Sequence, residues 1–300
     1  MSYLLLLIGF IILIKGADIF VDSASSMARR FHIPSIVIGM TIVAIGTSAP
    51  EFSVSLTSAL KGLNDMSIAN VIGSNIFNLL VILGIASLFD NLKLNNFKDI
   101  LITLGSSILL LISMINGVLG RFNGVMFLIC FSLFIYDMIK KTKNYQEQEE
   151  VIDNKPLWKI ILFGLLGLGA IIYGGNLVVN NASIIAMQLG MSEKLVGLTI
   201  VAVGTSLPEF VTSVVATKKG EVEIAIGNVL GSNIFNILLV LGLSSLISPM
   251  NAIASITDAI FMCIATTLFM LMTYKKRIIT KTLGIPMLII YIIYITQMII

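Results

Sequence analysis

The stretch GMTIVAIGTSAPEF at residues 39–52 recurs almost unchanged as GLTIVAVGTSLPEF at residues 197–210. In each copy an apolar run ends in a proline followed by a glutamate. Proline removes a backbone donor and clashes with the preceding helical turn, so a helix is predicted to break or kink at each copy. Glu51 and Glu209 follow the two prolines, and a carboxylate so deep in apolar sequence is predicted to face a partner or a polar pathway.

The composition indicates a chain surrounded by lipid. Of the 300 residues, 57% are hydrophobic and 12% are charged, and the mean hydropathy is +1.02, whereas soluble domains carry roughly 25% charged residues. Apolar runs of about 20 residues, enough to span the hydrocarbon core, recur along the chain. Ten membrane helices are predicted, at approximately residues 3–25, 35–60, 67–89, 98–116, 122–139, 157–184, 193–217, 224–247, 252–273 and 283–300. The sequence therefore predicts an all-α polytopic membrane protein.

The two motif copies belong to a longer internal repeat. Adding 158 to a residue number aligns residues 33–88 with residues 191–246 without a gap, and half of the aligned residues are identical. Gene duplication and fusion of a five-helix unit explains this similarity. Because five is an odd number, the second unit should cross the membrane in the opposite orientation. Such inverted-topology repeats are found in many secondary transporters, with binding sites near the membrane midplane.

The repeat divides the chain into three predicted parts. Residues 1–139 form the first five-helix repeat, and residues 157–300 form the second. Residues 140–156 read KKTKNYQEQEEVIDNKP, and this mixed charge is typical of a flexible linker.

Basic residues are concentrated in alternate loops of the predicted topology. One side of the membrane holds most of them, and the other side holds only Lys61, Arg121 and Lys194. The positive-inside rule places the basic side in the cytoplasm. Both termini are therefore predicted to lie outside the plasma membrane.

A second pair of motifs adds further oxygen atoms. IANVIGSNIFNLL at residues 68–80 matches IGNVLGSNIFNIL at residues 226–238. Residues four apart share one face of a helix, and this spacing relates Asn70, Ser74 and Asn78, as well as their counterparts Asn228, Ser232 and Asn236. With the two carboxylates, these are hard oxygen ligands that suit calcium, sodium or magnesium, and a flexible site of many oxygens favours calcium over magnesium.

Two other pairs of polar residues allow a structural interpretation. Asn75 and Asn233 lie off the proposed face, and they either bond across helices, as polar side chains do in membranes, or take part in the site. Asp18 and Asp22 have asparagines as repeat partners, so the repeat does not keep their charge. A structural role is favoured for them, with Lys15 as a candidate to neutralise Asp18.

The paired GTSxPEF and NVxGSNIFN blocks resemble the two repeats of the calcium/cation antiporter superfamily. The resemblance covers essentially the whole chain, and the short linker is similar to that of the compact prokaryotic sodium/calcium exchangers. It implies a secondary antiporter that exchanges calcium for sodium and functions as a monomer in the lipid bilayer. It implies no enzyme activity, no cofactor and no nucleic-acid partner. The first and sixth helices would slide as a gate against the remaining core.

The resemblance also implies roles for individual residues, with calcium and sodium as the bound ions. Glu51 and Glu209 would be the central calcium ligands. Main-chain carbonyl oxygens would come from Thr47, Thr205, Ala44 and Ala202, and side-chain oxygens from Ser48, Ser206, Ser74, Ser232, Asn78 and Asn236.

The coupling ion is the point on which the sequence leaves alternatives. Asn236 stands where some relatives, including the potassium-dependent exchangers, carry an aspartate, which argues against potassium co-transport and favours sodium. A cation/proton antiporter on the same scaffold would instead move calcium along a pH gradient and be indifferent to sodium. A channel with the same oxygen atoms would pass calcium without any counter-ion.

Overall fold

The computed structural model describes residues 1–62, 64–94, 96–143, 155–191, 196, 200 and 202–299. Over these residues the chain folds into a bundle of helices with four two-residue strands. The helices are α1 (Ser2–Phe31), α2 (Ser35–Thr47), α3 (Ala49–Leu60), α4 (Met66–Phe89), α5 (Phe97–Met114), α6 (Arg121–Lys143), α7 (Leu157–Gln188), α8 (Leu207–Lys218), α9 (Val222–Ile247), α10 (Ile256–Tyr274) and α11 (Lys281–Ile299).

The helices confirm a multi-pass membrane protein. In the described part of the chain, seven helices are long and apolar enough to cross a membrane, and α2 with α3 forms one further span that bends by 50°. The apolar part of α11, Lys281–Gln297, is shorter. The predicted span at residues 193–217 lies partly outside the described residues, and the count of ten helices stays a prediction.

The outer helices present apolar side chains to their surroundings. In α1, Leu4, Leu7 and Ile11 are exposed, whereas Leu13 and Ala17 are fully buried. An apolar outer surface of this extent would be unfavourable in water. It suits lipid, because helices satisfy their backbone hydrogen bonds internally and need no polar partner there.

Helices α1 and α7 form a closely packed antiparallel pair. A Cβ atom added to Gly16 would lie 2.8 Å from the main-chain nitrogen of Ile171, and one added to Gly167 would lie 2.7 Å from that of Phe20. Small residues permit such backbone contact between membrane helices. Leu13 and Ile171 of this pair belong to a buried apolar cluster that the pair shares with α2, α8 and α9.

Helices α4 and α9 form the centre of the bundle. Buried residues make up 78% of the apolar window of α4 and 94% of that of α9, more than for any other membrane-length helix in the described part of the chain. Each helix contains one π-helical turn, Asn78–Ile82 in α4 and Asn236–Leu241 in α9. Such turns are frequent at functional sites, and these two begin at residues that the sequence predicts as ligands.

Two short antiparallel ribbons tie the halves of the chain together. Strand β1 (Leu92–Lys93) pairs with β4 (Ile278–Ile279), and β2 (Val118–Leu119) pairs with β3 (Met250–Asn251). Each ribbon takes one strand from either half. The all-α prediction missed these strands, because pairs of two-residue segments in distant loops leave no periodic pattern in the sequence.

Candidate cation site

The helical backbone is interrupted just before each of the two prolines. Ser48 separates α2 from α3 with φ −79° and ψ 8°, and Ser206 precedes α8 with φ −89° and ψ 5°. Pro50 and Pro208 each lie in the first turn of the following helix, where the missing N–H has no intrahelical acceptor and proline is tolerated. The predicted break is therefore confirmed, but it lies at the serine rather than at the proline.

The two glutamates occupy equivalent positions in these broken segments. Glu51 and Glu209 lie in the first turns of α3 and α8, and both side chains are fully buried. Unpaired amide N–H groups at a helix N-terminus favour negative charge. The local fold therefore holds one carboxylate from each half in the interior.

Each glutamate accepts a hydrogen bond from the serine of the other half. The Ser48 hydroxyl donates to Oε1 of Glu209 at 2.8 Å, and the Ser206 hydroxyl donates to Oε1 of Glu51 at 2.9 Å. All four side chains are fully buried. The predicted ligands from the two repeats are thus brought together in one crossed arrangement.

Two asparagines anchor the broken helices to the central pair. Asn70 donates to the Ser55 hydroxyl at 3.0 Å and to the main-chain oxygen of Glu51 at 3.4 Å. Its repeat partner Asn228 donates to the Ser213 hydroxyl at 2.9 Å and to the main-chain oxygen of Glu209 at 3.3 Å. Both amide groups therefore position the glutamate segments.

The other predicted ligands on α4 and α9 are also buried. Ser74 donates to Oε1 of Glu51 at 3.5 Å, the long limit of a hydrogen bond. The side chains of Asn78, Ser232 and Asn236 are fully buried, one or two turns along their helices from Asn70 and Asn228. Of the predicted face in the first half, Asn70 and Ser74 both contact Glu51, and the ligand role of the whole face stays a prediction.

Several oxygen atoms of this cluster have no hydrogen-bond partner among the described residues. They are Oε2 of Glu51, Oε2 of Glu209, Oδ1 of Asn78, Oδ1 of Asn236 and the hydroxyl oxygen of Ser232. Neither glutamate forms an ion pair with a described side chain. Buried negative charge that is not neutralised is strongly unfavourable. A cation bound by these oxygens would neutralise it. Carboxylate, hydroxyl and amide oxygens are ligands that hard cations prefer.

The predicted main-chain ligands lie at the ends of the broken segments. The Thr47 hydroxyl donates to Oδ1 of Asn228 at 2.9 Å. The Ala44 carbonyl accepts from the Ser48 main-chain N–H at 3.0 Å. Thr205 is half-buried, and Ala202 begins the short helical segment Ala202–Gly204, although its side chain lies outside the described residues. The ligand roles of these four residues stay predictions.

The acidic residues of α1 lie away from this cluster. Lys219 forms ion pairs with Asp18 at 2.7 Å and with Asp22 at 2.6 Å. The expected partner of Asp18, Lys15, is exposed and forms no ion pair within the described part of the chain, so that expectation was wrong. Partial burial lowers the pKa of Lys219, but its bonds to the two aspartates outweigh this and raise it. Both aspartates therefore attach α1 to the loop between α8 and α9.

Asn75 and Asn233, for which the sequence allowed two interpretations, bond to each other across the centre. The Asn75 side chain donates to the main-chain oxygen of Asn233 at 3.1 Å, and the Asn233 side chain donates to that of Asn75 at 3.2 Å. Their retention in both repeats was a signal of a shared role, but the partner could not be identified before the helices were placed.

Comparisons with known proteins agree with this architecture. A model of the family described as "Sodium/calcium exchanger protein" matches residues 1–140 and 159–300. The chain is 38% identical over 304 residues to the putative antiporter CaxA of Alkalimonas amylolytica, with 96% of this chain and 95% of that protein covered. It is 33% identical over 298 residues to the sodium/calcium exchanger MaX1 of Methanosarcina acetivorans, with 83% and 84% covered.

A solved structure of the sodium-calcium exchanger NCX_Mj, soaked with sodium and strontium, has the same fold. It matches with a TM-score of 0.89 and 33% identity, over 98% of this chain and 97% of that chain. These relatives are membrane exchangers rather than enzymes. From the family match along nearly the whole chain and the similarity of fold, we conclude that this protein is a membrane cation exchanger of the sodium/calcium exchanger family.

Proposed function

We propose that the chain exchanges calcium for sodium by alternating access at the cluster centred on Glu51 and Glu209. One observation carries the proposal. Two fully buried carboxylates, one from each half, are bonded by serines of the opposite half and lack a cationic partner in the described part of the chain. A transported cation would neutralise them.

The ligand set extends outward from this pair. Calcium is held by the two carboxylates, and sodium is held at flanking positions by neutral oxygens. The flanking ligands are the carbonyl oxygens of Ala44, Thr47, Ala202 and Thr205 and the side chains of Ser48, Ser74, Asn78, Ser206, Ser232 and Asn236. Burial of most of these side chains around the broken helices supports this set.

The charge of the two carboxylates accounts for exchange. One calcium ion or two sodium ions balance two negative charges, so the two kinds of ion compete for the same groups. A site without either ion is doubly negative, and closing it away from water is strongly unfavourable. The transporter therefore closes over bound cations and resists closing when empty. This difference distinguishes an exchanger from a leak.

The proposal includes the inverted repeat with ten membrane helices and both termini outside. Residues 1–139 and 157–300 are the two five-helix repeats, joined by the cytoplasmic linker 140–156. Reciprocal contacts support a symmetric relation between the halves, because the Ser48 and Ser206 bonds and the Asn70 and Asn228 bonds are equivalent pairs. The two ribbons between the halves, β1–β4 and β2–β3, are consistent with the same relation.

We assign the moving part to the α1–α7 pair. Its buried side chains belong to an apolar cluster distinct from the one around α4 and α9, and in it they pack on α2 and α8, which lead into and out of the broken segments. Sliding of this pair would open the glutamates to one side of the membrane and then to the other. The small residues at its internal contact keep the two helices together as one unit.

Proton coupling is the second candidate. The relatives include a putative antiporter as well as a sodium/calcium exchanger, so the driving ion has to be tested directly. The oxygen ligands favour sodium, because carboxylate, hydroxyl and amide groups form a site for a hard metal cation. MaX1 and NCX_Mj are both described as sodium/calcium exchangers, and they support the same choice.

The deciding experiment measures radiolabelled calcium uptake into proteoliposomes that contain the full chain and are loaded with sodium. Uptake is expected when external sodium is absent, and it should vanish when sodium is equal on both sides. An imposed pH gradient at equal sodium should give no uptake. Uptake driven by the pH gradient would instead establish proton coupling, and uptake without any counter-ion gradient would indicate a channel.

Glu209→Gln provides the control for site assignment in the same vesicles. Glutamine is nearly the same size as glutamate, and it keeps a side-chain oxygen that can accept the hydrogen bond from Ser48. Calcium uptake should be lost while the variant purifies and reconstitutes normally. Normal uptake by this variant would show that transport does not use the proposed site.

A further inference from the structure

Four asparagines form a closed set of hydrogen bonds where α4 and α9 cross; we call it the asparagine clamp, and its members are Asn75, Asn78, Asn233 and Asn236. Asn75 and Asn233 each donate their side-chain NH₂ to the main-chain oxygen of the other, at 3.1 and 3.2 Å. The Asn78 side chain donates to Oδ1 of Asn233 at 3.1 Å, and the Asn236 side chain donates to Oδ1 of Asn75 at 3.2 Å. All four side chains are buried.

The orientation of every amide in the clamp follows from the two main-chain carbonyls. A carbonyl oxygen only accepts hydrogen bonds, so the NH₂ groups of Asn75 and Asn233 must face it. The side-chain oxygen of Asn75 then points the other way, where it can only accept. Asn236 must therefore turn its NH₂ group toward Asn75, and by the same reasoning Asn78 must turn its NH₂ group toward Asn233.

This chain of bonds fixes where the remaining oxygens point. With their NH₂ groups held by the clamp, Asn78 and Asn236 direct their Oδ1 atoms away from it. These two oxygens are buried and have no hydrogen-bond partner among the described residues. An amide turned by 180° would present hydrogen-bond donors in their place, and these repel a cation.

We propose that Asn75 and Asn233 are positioning residues that hold Asn236 and Asn78 with their side-chain oxygens toward the cation. The proposal rests on the proposed function, in which Asn78 and Asn236 are cation ligands. The action is crossed, since Asn75 from the first half orients Asn236 from the second, and Asn233 orients Asn78. This positioning role differs from that of polar residues that only bond two membrane helices together.

The test is equilibrium binding of radiolabelled calcium to the purified full chain, which does not depend on the coupling ion. Replacing partners that orient metal ligands typically weakens affinity ten- to hundred-fold, and Asn75→Ala is expected to weaken calcium binding by at least about tenfold. The double variant Asn75→Ala/Asn236→Ala should bind no more weakly than Asn236→Ala alone, because both changes remove the same oriented oxygen.

The matched control comes from the other half of the clamp. Asn75→Ala combined with Asn78→Ala should weaken binding by about the product of the two single effects, since Asn75 does not orient Asn78. If Asn75→Ala and Asn236→Ala also weaken calcium binding by the product of their single effects, the proposal is overturned. A purely structural contact would weaken binding in both double variants in the same way. The mirror-image combination of Asn233→Ala with Asn78→Ala provides a second test if Asn75→Ala does not fold.

A conservative variant tests the direction of the bond. Asn75→Asp is similar in shape, and in this buried position its carboxyl should be protonated. Its O–H then donates to the main-chain oxygen of Asn233, and its other oxygen still accepts from the NH₂ group of Asn236. It should keep the calcium affinity of the unmodified chain, and a loss as large as that of Asn75→Ala would overturn the clamp. If the unmodified chain binds no calcium, the proposed function fails and the clamp fails with it. If the unmodified chain binds calcium but the effects of Asn75→Ala and Asn236→Ala multiply, the clamp is overturned and the proposed function is not.

Discussion

Ser206 donates a hydrogen bond to the carboxylate of Glu51 across 155 residues of sequence, at 2.9 Å in the fully buried centre of the bundle. With the reciprocal bond from Ser48 to Glu209, each carboxylate accepts a hydrogen bond from a serine of the opposite half. Neither half could therefore form this arrangement alone. The same dependence links the halves in the asparagine clamp, where Asn78 and Asn236 each donate to an asparagine of the other half.

Glu51→Gln should separate ion binding from folding. The variant keeps an oxygen for Ser206 but removes a buried charge, so the ion-free protein should unfold at the same temperature as the unmodified chain or higher. Ligand binding normally raises the unfolding temperature by mass action, and calcium should no longer do so in the variant. Thermal unfolding in detergent, with calcium and with a chelator, measures both effects.

The control for this prediction is Glu223→Gln, which replaces a glutamate of α9 outside the proposed site. It should retain the calcium-dependent rise in unfolding temperature. An equal calcium response in Glu51→Gln would show that the ion is held elsewhere.

Removing one serine should affect the glutamate of the opposite half. A hydrogen bond to a charged group contributes about 1.5–3 kcal/mol. Ser206→Ala is therefore expected to lower calcium affinity by about tenfold, because Glu51 loses the bond that positions its carboxylate. In the Glu51→Gln background the same serine change should have a much smaller effect on the unfolding temperature, because the charge it supports is gone. Isothermal calcium titration and thermal unfolding provide the two measurements. An undiminished effect of Ser206→Ala in that background would contradict the crossed arrangement.

The parts of the site that sequence could predict are those with a local chemical cause. Pro50 followed by Glu51 predicts a broken helix with a buried carboxylate, because each residue is unfavourable in an ordinary membrane helix. The repeat extends the same inference to Glu209. These predictions require no knowledge of which helices touch.

The parts that sequence could not predict depend on contacts between distant segments. Lys219 pairs with Asp18 and Asp22 of α1, whereas local spacing suggested Lys15. Asn75 lay off the predicted ligand face, and only the position of α9 shows that it bonds to Asn236. In both cases the partner is more than 150 residues away, and a single sequence contains no signal that links them.

Lys219 should hold α1 against the loop between α8 and α9. It bonds to two aspartates of α1, and the nearby Glu221 pairs with Arg29 at 3.3 Å. Partly exposed ion pairs contribute about 0–1 kcal/mol each, so losing both in Lys219→Met should increase local opening by up to about thirtyfold. Hydrogen exchange of peptides covering residues 18–31 and 216–224 should become faster in the variant.

The repeat supplies the matched control for this contact. Lys61 is the counterpart of Lys219, and it is exposed without an ion pair in the described part of the chain. Asn176 and Asn180 stand in α7 where α1 has its two aspartates. Lys61→Met should therefore leave hydrogen exchange unchanged. Equal acceleration by the two substitutions would mean that the ion pairs do not hold α1.

Gly231→Ala should destabilise the centre of the bundle, because α9 passes very close to α2 at this point. An added Cβ atom would lie 2.5 Å from both Cα and the main-chain oxygen of Met40, and a backbone cannot move aside as a side chain can. Overpacking of this kind typically costs about 1–3 kcal/mol, which should lower the unfolding temperature by several degrees. Gly105→Ala is the control, because Gly105 is exposed on α5 and no described atom lies within 4 Å of its added Cβ. Alanine is the better helix former by about 1 kcal/mol, so thermal unfolding of the control should be unchanged or shifted slightly upward. Equal tolerance of the two alanines would show that α2 and α9 are not in backbone contact at Met40.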